Sequence, residues 1–330
     1  MKAVQVTRYG GPEVLALENV AVPEPGDGEV LLALEFAGVN FIDVYTRRGD
    51  YARSDTYANE PPFTLGREGG GTVARVGRGV GNFAEGDRAA YCLVPGAYAE
   101  YAVVPDWRLV KVPDEVDMKT AVTLMLQGCT AHYLSHSLFQ LGKGQRCLIH
   151  AASGGVGQLL VQLAKIRGAE VFATVGTEEK AKLAKERGAD HTILYKDADF
   201  ADIVHELSGG EGVDVVYDAV GRSTIEGSLR CVKRRGTLVN FGGASGLVES
   251  IEPLALAEAG SIFFTRPHMA DYMRNPDEIH WRSSEMFDHV LNGRLKVNID
   301  KEYPLADAAA AHRYLEAGKT TGKLLLDVRA

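Results

Sequence analysis

Between Ala151 and Lys180 the sequence carries residues suited to holding a pyrophosphate. Ala151, Gly154 and Gly157 stand in the spacing A-x-x-G-x-x-G, after a run of buried-strand type (147–150) and before a segment of helical apolar spacing (158–167). Small residues in such a turn let the backbone approach a phosphate, whose charge then rests on a helix N-terminus. The usual fingerprint opens on glycine, and here that position is Ala151. A glycine-rich string alone is a weak sign. Set between a strand and a helix, with a second strand at 170–175, it points to a dinucleotide. Ser153, Gly154, Gly155 and Val156 are the candidate phosphate contacts.

The second strand ends Ala173-Thr174-Val175-Gly176-Thr177, with no carboxylate at its tip to take ribose hydroxyls. Glu178 and Glu179 follow in the next helix's first turn, where they suit the helix dipole, and Lys180 comes directly after. A cation beside the Thr177 hydroxyl suits a 2′-phosphate, so the expected cofactor is NADPH; the alternative for Lys180 is a solvated helix lysine. Tyr195, at the third strand's end, covers the adenosine or is a packed rim residue. Phe241 and Gly242 follow the fifth strand, where such a sheet opens onto its cofactor, or form a plain turn.

These residues need a parallel sheet to position them, and the chain supplies the pattern. Strands and helices alternate from about 145 to 264, giving about six strands of a doubly wound sheet. Residues 1 to about 120 hold short alternating strands broken by Gly/Pro/Asp clusters, as in an all-β, barrel-like unit, with a short helix at 40–49. A helical stretch spans 117–140, with Gly128 as its expected kink, and an amphipathic helix and two strands close the chain. No repeat or low-complexity tract is present.

The 330 residues are enough for two cores, and 45% apolar with 24% charged residues is an ordinary globular composition. A formal charge of −8 disfavours holding nucleic acid by bulk electrostatics. No run approaches the length of a membrane span, and no secretory signal opens the chain. Cys92, Cys129, Cys147 and Cys231 lie far apart, which fits buried thiols in a reducing cytoplasm and argues against a structural zinc site.

The chain resembles the zinc-free quinone oxidoreductase (zeta-crystallin-like) branch of the medium-chain dehydrogenase/reductases. The resemblance is carried by Gly38–Tyr45, Leu65–Gly71, Gly86-Asp87-Arg88, Ala151–Gly157, Gly176-Thr177-x-x-Lys180, Val216-Tyr217-Asp218 and Phe264–Pro267. It implies a GroES-like β-rich catalytic domain in two pieces, 1–125 and 266–330, around a Rossmann domain at 126–265, and commonly a homodimer. It further implies that Asn40, Asp43 and Tyr45 line the nicotinamide and substrate end, Tyr45 bonding a substrate carbonyl or the nicotinamide ribose or else serving as a core aromatic. Thr130 would sit by the cofactor or be a small polar helix residue, and backbone near Phe264 would meet the carboxamide. A basic residue near the C-terminus, Lys319 or Lys323, would help with the 2′-phosphate, and Arg47, Arg48, Arg67 and Arg266 are expected to be ion-paired or exposed.

Zinc alcohol dehydrogenases carry a cysteine where this chain has Asn40, and Gly-His-Glu where it has Gly66-Arg67-Glu68. Asn40 is a poor zinc ligand and Arg67 is none, so no metal is expected; the nine histidines are expected to be scattered structural residues. Without a Lewis acid, the chemistry expected is transfer from NADPH to an already electrophilic quinone or enone. The competing readings are an enone or enoyl-thioester reductase on the same fold, and a cofactor-binding protein whose task is RNA binding or a structural, crystallin-like role.

Overall fold

The strand Val213–Asp218 is buried at every position, as a strand covered on both faces must be. It lies in a six-stranded sheet whose order is His191–Leu194, Glu170–Val175, Arg146–Ile149, Val213–Asp218, Val232–Asn240, Phe263–Thr265, and every neighbouring pair is parallel. In chain order that is 3-2-1-4-5-6, the doubly wound arrangement, with the order reversing between the first and fourth strands. Leu148, Phe172, Ile193, Val216 and Leu238 form its core with Ala201, Val204 and Cys231 from the covering helices.

The computed structural model describes residues 1–330. They divide into two units: Thr130–Tyr272 with Arg294–Lys296, which holds the parallel sheet, and Met1–Cys129 with Met273–Gly293 and Val297–Ala330.

The second of these is β-rich. Its seven-stranded sheet runs Ile299–Pro304, Lys323–Asp327, Glu29–Val39, Glu68–Val76, Arg88–Cys92, Val110–Lys111, with Tyr101–Pro105 paired to the other stretch of Glu29–Val39. A three-stranded sheet of Leu15–Asn19, Lys2–Val6 and Phe63–Thr64 completes it. Long-range register matters here: Leu324 pairs with Val39 and Asp327 with Phe36, so the last strand is built into the N-terminal sheet. Val30, Leu32, Leu34, Tyr91, Tyr98, Leu324 and Leu326 share one core.

The helical stretch expected at 117–140 starts with Met118–Thr123, capped by Asp117, whose carboxylate accepts from the Thr120 N–H. Two wide π-type turns, Leu124–Gly128 and Leu134–Leu138, flank the α-helical Cys129–Tyr133, and Gly128 lies inside the first. The fifth strand starts earlier than its apolar run suggests, at Val232, because Val232 pairs with Val213 before an irregularity, with Arg235 at φ 61°, and the ladder resumes at Thr237.

Candidate functional site

The glycine-rich turn ends in a helix, Gly155–Ile166, with Gly154 as its N-cap. The first N–H groups of such a helix have no partner within it, and their dipoles favour an anion. Gly154, Gly155 and Val156 are half-buried there, and Ser153 is buried beside them. Gly157 is where the helix touches the turn: a Cβ there would stand 2.3 Å from the Ala151 carbonyl oxygen. Ala151 itself is left-handed, at φ 51°, a conformation that favours glycine. The alanine-first turn therefore keeps the backbone of a glycine-first one, at the cost of strain in one residue.

At the tip of the second strand, Thr177 caps the helix Glu178–Glu186, its hydroxyl accepting from the Lys180 N–H at 3.3 Å. Thr177 is exposed and Lys180 half-buried in the first turn. The Tyr195 hydroxyl lies 2.9 Å from where a Gly176 Cβ would be, so this half-exposed ring covers the strand tip. The structure thus brings Gly176, Thr177, Lys180 and Tyr195 together, with no acid at the tip itself.

Further along the same sheet edge, Asp218 ends the fourth strand fully buried. Its carboxylate accepts from the Val220 and Gly221 N–H groups, both at 2.8 Å, from Thr224 and from the Ser228 hydroxyl at 2.9 Å. Ser228 also meets His150 Nε2 at 2.9 Å, and His150 Nδ1 meets the Thr174 hydroxyl at 2.7 Å. Burial pushes the His150 pKa down, so the ring is a neutral tie between the strand that enters the glycine turn and its neighbours. The role of His150 does not show in the sequence, because its partners Thr174 and Ser228 lie 24 and 78 positions away. Phe241 and Gly242 both turn their N–H groups to the Asp218 carbonyl, at 2.9 and 3.3 Å. Thr130 is buried with its hydroxyl 3.4 Å from the Met269 sulfur, and Phe264 packs half-buried against the sheet core.

In the β-rich unit, Asn40, Asp43 and Tyr45 lie at the start of the helix Phe41–Arg48, and all three are buried. Asn40 Nδ2 donates to Glu68 Oε2 at 2.9 Å, and its Oδ1 accepts from Lys323 Nζ at 2.8 Å. Lys323 and Glu68 are wholly buried and form an ion pair, and Glu68 Oε1 takes the Leu126 N–H at 2.7 Å. Gly38 makes room for this pair: a Cβ would lie 1.8 Å from Glu68 Oε2. Lys323 is therefore not a 2′-phosphate ligand, because its ammonium is spent on Glu68 and Asn40. Lys319, past the helix Ala308–Glu316, is exposed.

Asp43 Oδ2 accepts from the Asn40 N–H at 2.9 Å and from the Tyr98 hydroxyl at 3.2 Å, and Oδ1 has no partner. Burial raises its pKa to about 7 against the lowering pull of the Asn40 N–H and Lys323. Tyr98 continues to His312, and His312 to Arg47, which holds Glu316 through both guanidinium ends. The Tyr45 ring packs edge-on to Tyr51 at 5.6 Å, and Tyr51 packs on Tyr57 at 5.4 Å.

Of the four arginines expected to be paired or exposed, Arg47 is paired but buried, Arg48 stands 3.4 Å from Asp50, and Arg266 is half-buried and donates to the Asn240 carbonyl. Arg266 and Arg67 both depart from the expectation, since neither is exposed or ion-paired, and Arg67 is buried. The histidines are not all scattered either. His132 and His136 stand in H-x-x-x-H spacing, and one helical stretch stacks their rings at 4.1 Å.

Comparison with known proteins agrees with both units. Residues 155–280 match the zinc-binding dehydrogenase family and residues 26–114 the alcohol dehydrogenase GroES-like domain. A quinone oxidoreductase of Pseudomonas aeruginosa is 41% identical over 98% of this chain and 99% of its own. The chain belongs to the quinone oxidoreductase branch of the medium-chain dehydrogenase/reductase family. Another relative of this oxidoreductase, a 2-haloacrylate reductase of a Burkholderia species, is 42% identical over 98% of both chains. The Escherichia coli quinone oxidoreductase solved with NADPH superposes with a TM-score of 0.95 at 36% identity, covering 99% of this chain and all of that one.

Proposed function

We propose that this oxidoreductase passes hydride or electrons from NADPH to quinones and related electrophilic acceptors without a metal. The observation that carries the reading is Lys323, whose ammonium lies buried between Asn40 and Glu68. Zinc takes thiolate, imidazole or carboxylate donors. Around Asn40 the chain offers an amide, a guanidinium and a carboxylate already neutralised by a lysine. An enzyme built this way is suited to acceptors that need no Lewis acid.

NADPH fits the residues present. The close approach at Gly157 and the helix N-terminus at Gly155 accept a pyrophosphate, with Ser153, Gly154 and Val156 alongside. Thr177 and Lys180 at a tip without a carboxylate accept the 2′-phosphate, Tyr195 covers the adenosine, and Lys319 adds a second cation. Thr130, Phe241, Gly242 and Phe264 serve the nicotinamide end, with Asn40. NADPH supplies the hydride when bound. Asn40 and Asp43 are held rigid by their hydrogen bonds, and the Tyr45 hydroxyl orients a substrate carbonyl. The E. coli relative solved with NADPH supports this assignment.

The working form is a cytoplasmic homodimer in this reading. On the edge strand Phe263–Thr265, Phe263 is 65% exposed, and Leu254 in the helix Pro253–Glu258 is 61% exposed; a second copy would cover such an apolar strand edge. Four buried free thiols suit a reducing compartment.

An anaerobic NADPH-oxidation screen over benzoquinone, naphthoquinones and α,β-unsaturated carbonyl compounds, with NADH in parallel, tests the proposal. Faster turnover with NADH would remove the roles of Thr177 and Lys180. Oxidation of simple alcohols by enzyme containing stoichiometric zinc would end the metal-free reading.

A further inference from the structure

Arg67 is a buried cation without an anion. It is 5% exposed, yet its Nη2 donates only to neutral oxygens, the Tyr57 carbonyl at 2.8 Å and the Asn59 side-chain amide. Nε is buried with no acceptor at all. The Tyr57 ring lies 5.4 Å from the guanidinium carbon, a weak substitute for a counter-ion. Two other buried cations of this unit are matched by acids: Arg47 by Glu316 and Lys323 by Glu68. Asp43 is the acid whose charge acts on Arg67, but its Oδ2 is taken by Asn40 and Tyr98 and its Oδ1 bonds to nothing, so neither oxygen holds the guanidinium. Burying a charge is expensive unless something pairs with it, and here no protein carboxylate does.

Burial also lowers the Arg67 pKa below its usual value, although a guanidinium stays charged at any physiological pH. A partner from outside the chain would give Nε and this charge the acceptor they lack. Arginine in such a place suits a carboxylate, which accepts from planar N–H donors.

We propose that Arg67 anchors the carboxylate of an acidic substrate, an alkene conjugated to a carboxylic acid. The proposal rests on the reductase reading above and names a substrate class for it. A free carboxylate feeds electron density into its alkene and makes it a poor hydride acceptor. A guanidinium against the carboxylate draws that density back and leaves the β-carbon electrophilic. Reduction breaks the C=C π bond and forms a C–H bond at the β-carbon with two electrons from NADPH, which becomes NADP⁺. A proton from water forms the second C–H bond at the α-carbon.

The test is steady-state kinetics with saturating NADPH on 2-chloroacrylate, on its neutral amide and on benzoquinone, for the wild type, Arg67→Gln and Arg67→Lys. The wild type should prefer the acid to the amide in kcat/KM. That ratio should fall about 100-fold in Arg67→Gln and about tenfold in Arg67→Lys, which keeps the charge but not the planar donors. Calorimetric binding of the unreactive acid 2-chloropropionate to the NADPH-loaded enzyme should weaken in the same order. If benzoquinone is reduced while the acid-to-amide ratio is the same in wild type and Arg67→Gln, the anchor is overturned and the reductase reading stands. If no acceptor is reduced, the reductase reading falls. Binding of 2-chloropropionate then decides the anchor alone, and absence of binding to the wild type overturns it.

Discussion

Arg47 dictates which nitrogen of His312 carries a hydrogen. Its Nη1 lies 3.0 Å from His312 Nδ1, and a guanidinium only donates, so Nδ1 must accept and the hydrogen sits on Nε2. That hydrogen points to the Tyr98 oxygen at 3.1 Å, leaving the Tyr98 hydrogen for Asp43 Oδ2. The donors run one way, from Arg47 to Asp43. Burial and the Arg47 charge push the His312 pKa down to about 3, so the ring stays neutral and the direction is kept.

Asp43 should make stability depend on pH. Its folded pKa is about 7 against a usual 3.8, so between these values the native state holds a proton that the unfolded chain has released. The destabilisation is absent below about pH 4, grows as pH rises, and is complete above about pH 7. It amounts to at most about 4 kcal/mol. Urea unfolding at pH 5 and pH 8 should show wild-type stability falling and Asp43→Asn nearly flat; a wild type that loses no more stability than the variant between the two pH values contradicts this.

Removing one partner of the buried Lys323–Glu68 pair strands the other. Lys323→Met should lose about 3–5 kcal/mol in denaturant unfolding, and the double change with Glu68→Gln should recover a large part. Equal losses in the single and double variants would show that the pair is not coupled.

Ala151 holds a left-handed backbone that glycine adopts freely. Ala151→Gly should raise stability by about 0.5–1 kcal/mol, and Ala151→Val should lower it by more than about 1 kcal/mol. Thermal unfolding of the three proteins checks the order.

Lys180→Ala should raise the KM for NADPH by about tenfold and change that for NADH far less, since only NADPH brings a 2′-phosphate. Parallel loss with both nucleotides would place Lys180 in the helix surface alone.

The two units differed in how far their sequence could be read. Glu170–Val175, Phe200–Leu207 and Val213–Asp218 fall where the pattern places them, because doubly covered strands are continuous apolar runs between amphipathic helices. The β-rich unit hides more. Phe63–Thr64 and Val110–Lys111 are two residues each, too short for any period to register, and exist through their partners in the sheet. The candidate site follows the same logic. The turn from Ala151 to Gly157 is local and legible, whereas Lys323 reaches Glu68 across 255 positions and His312 reaches Tyr98 across 214. Arg67 shows why residue type alone misleads: nothing in Gly66-Arg67-Glu68 says that the guanidinium is buried and its neighbour's charge already taken.

The last strand, Lys323–Asp327, lies between Ile299–Pro304 and the N-terminal Glu29–Val39. During synthesis the parallel sheet, contiguous but for three residues, has nearly all its strands and helices while the β-rich unit still lacks a central strand. Until the ribosome has released the C-terminal residues, Glu68 has no ammonium to meet and Phe36–Val39 present an open ladder. A chain cut just before Lys323 therefore keeps a complete nucleotide fold but exposes a sticky sheet edge, which makes the C-terminus a quality-control point for chaperones and proteases.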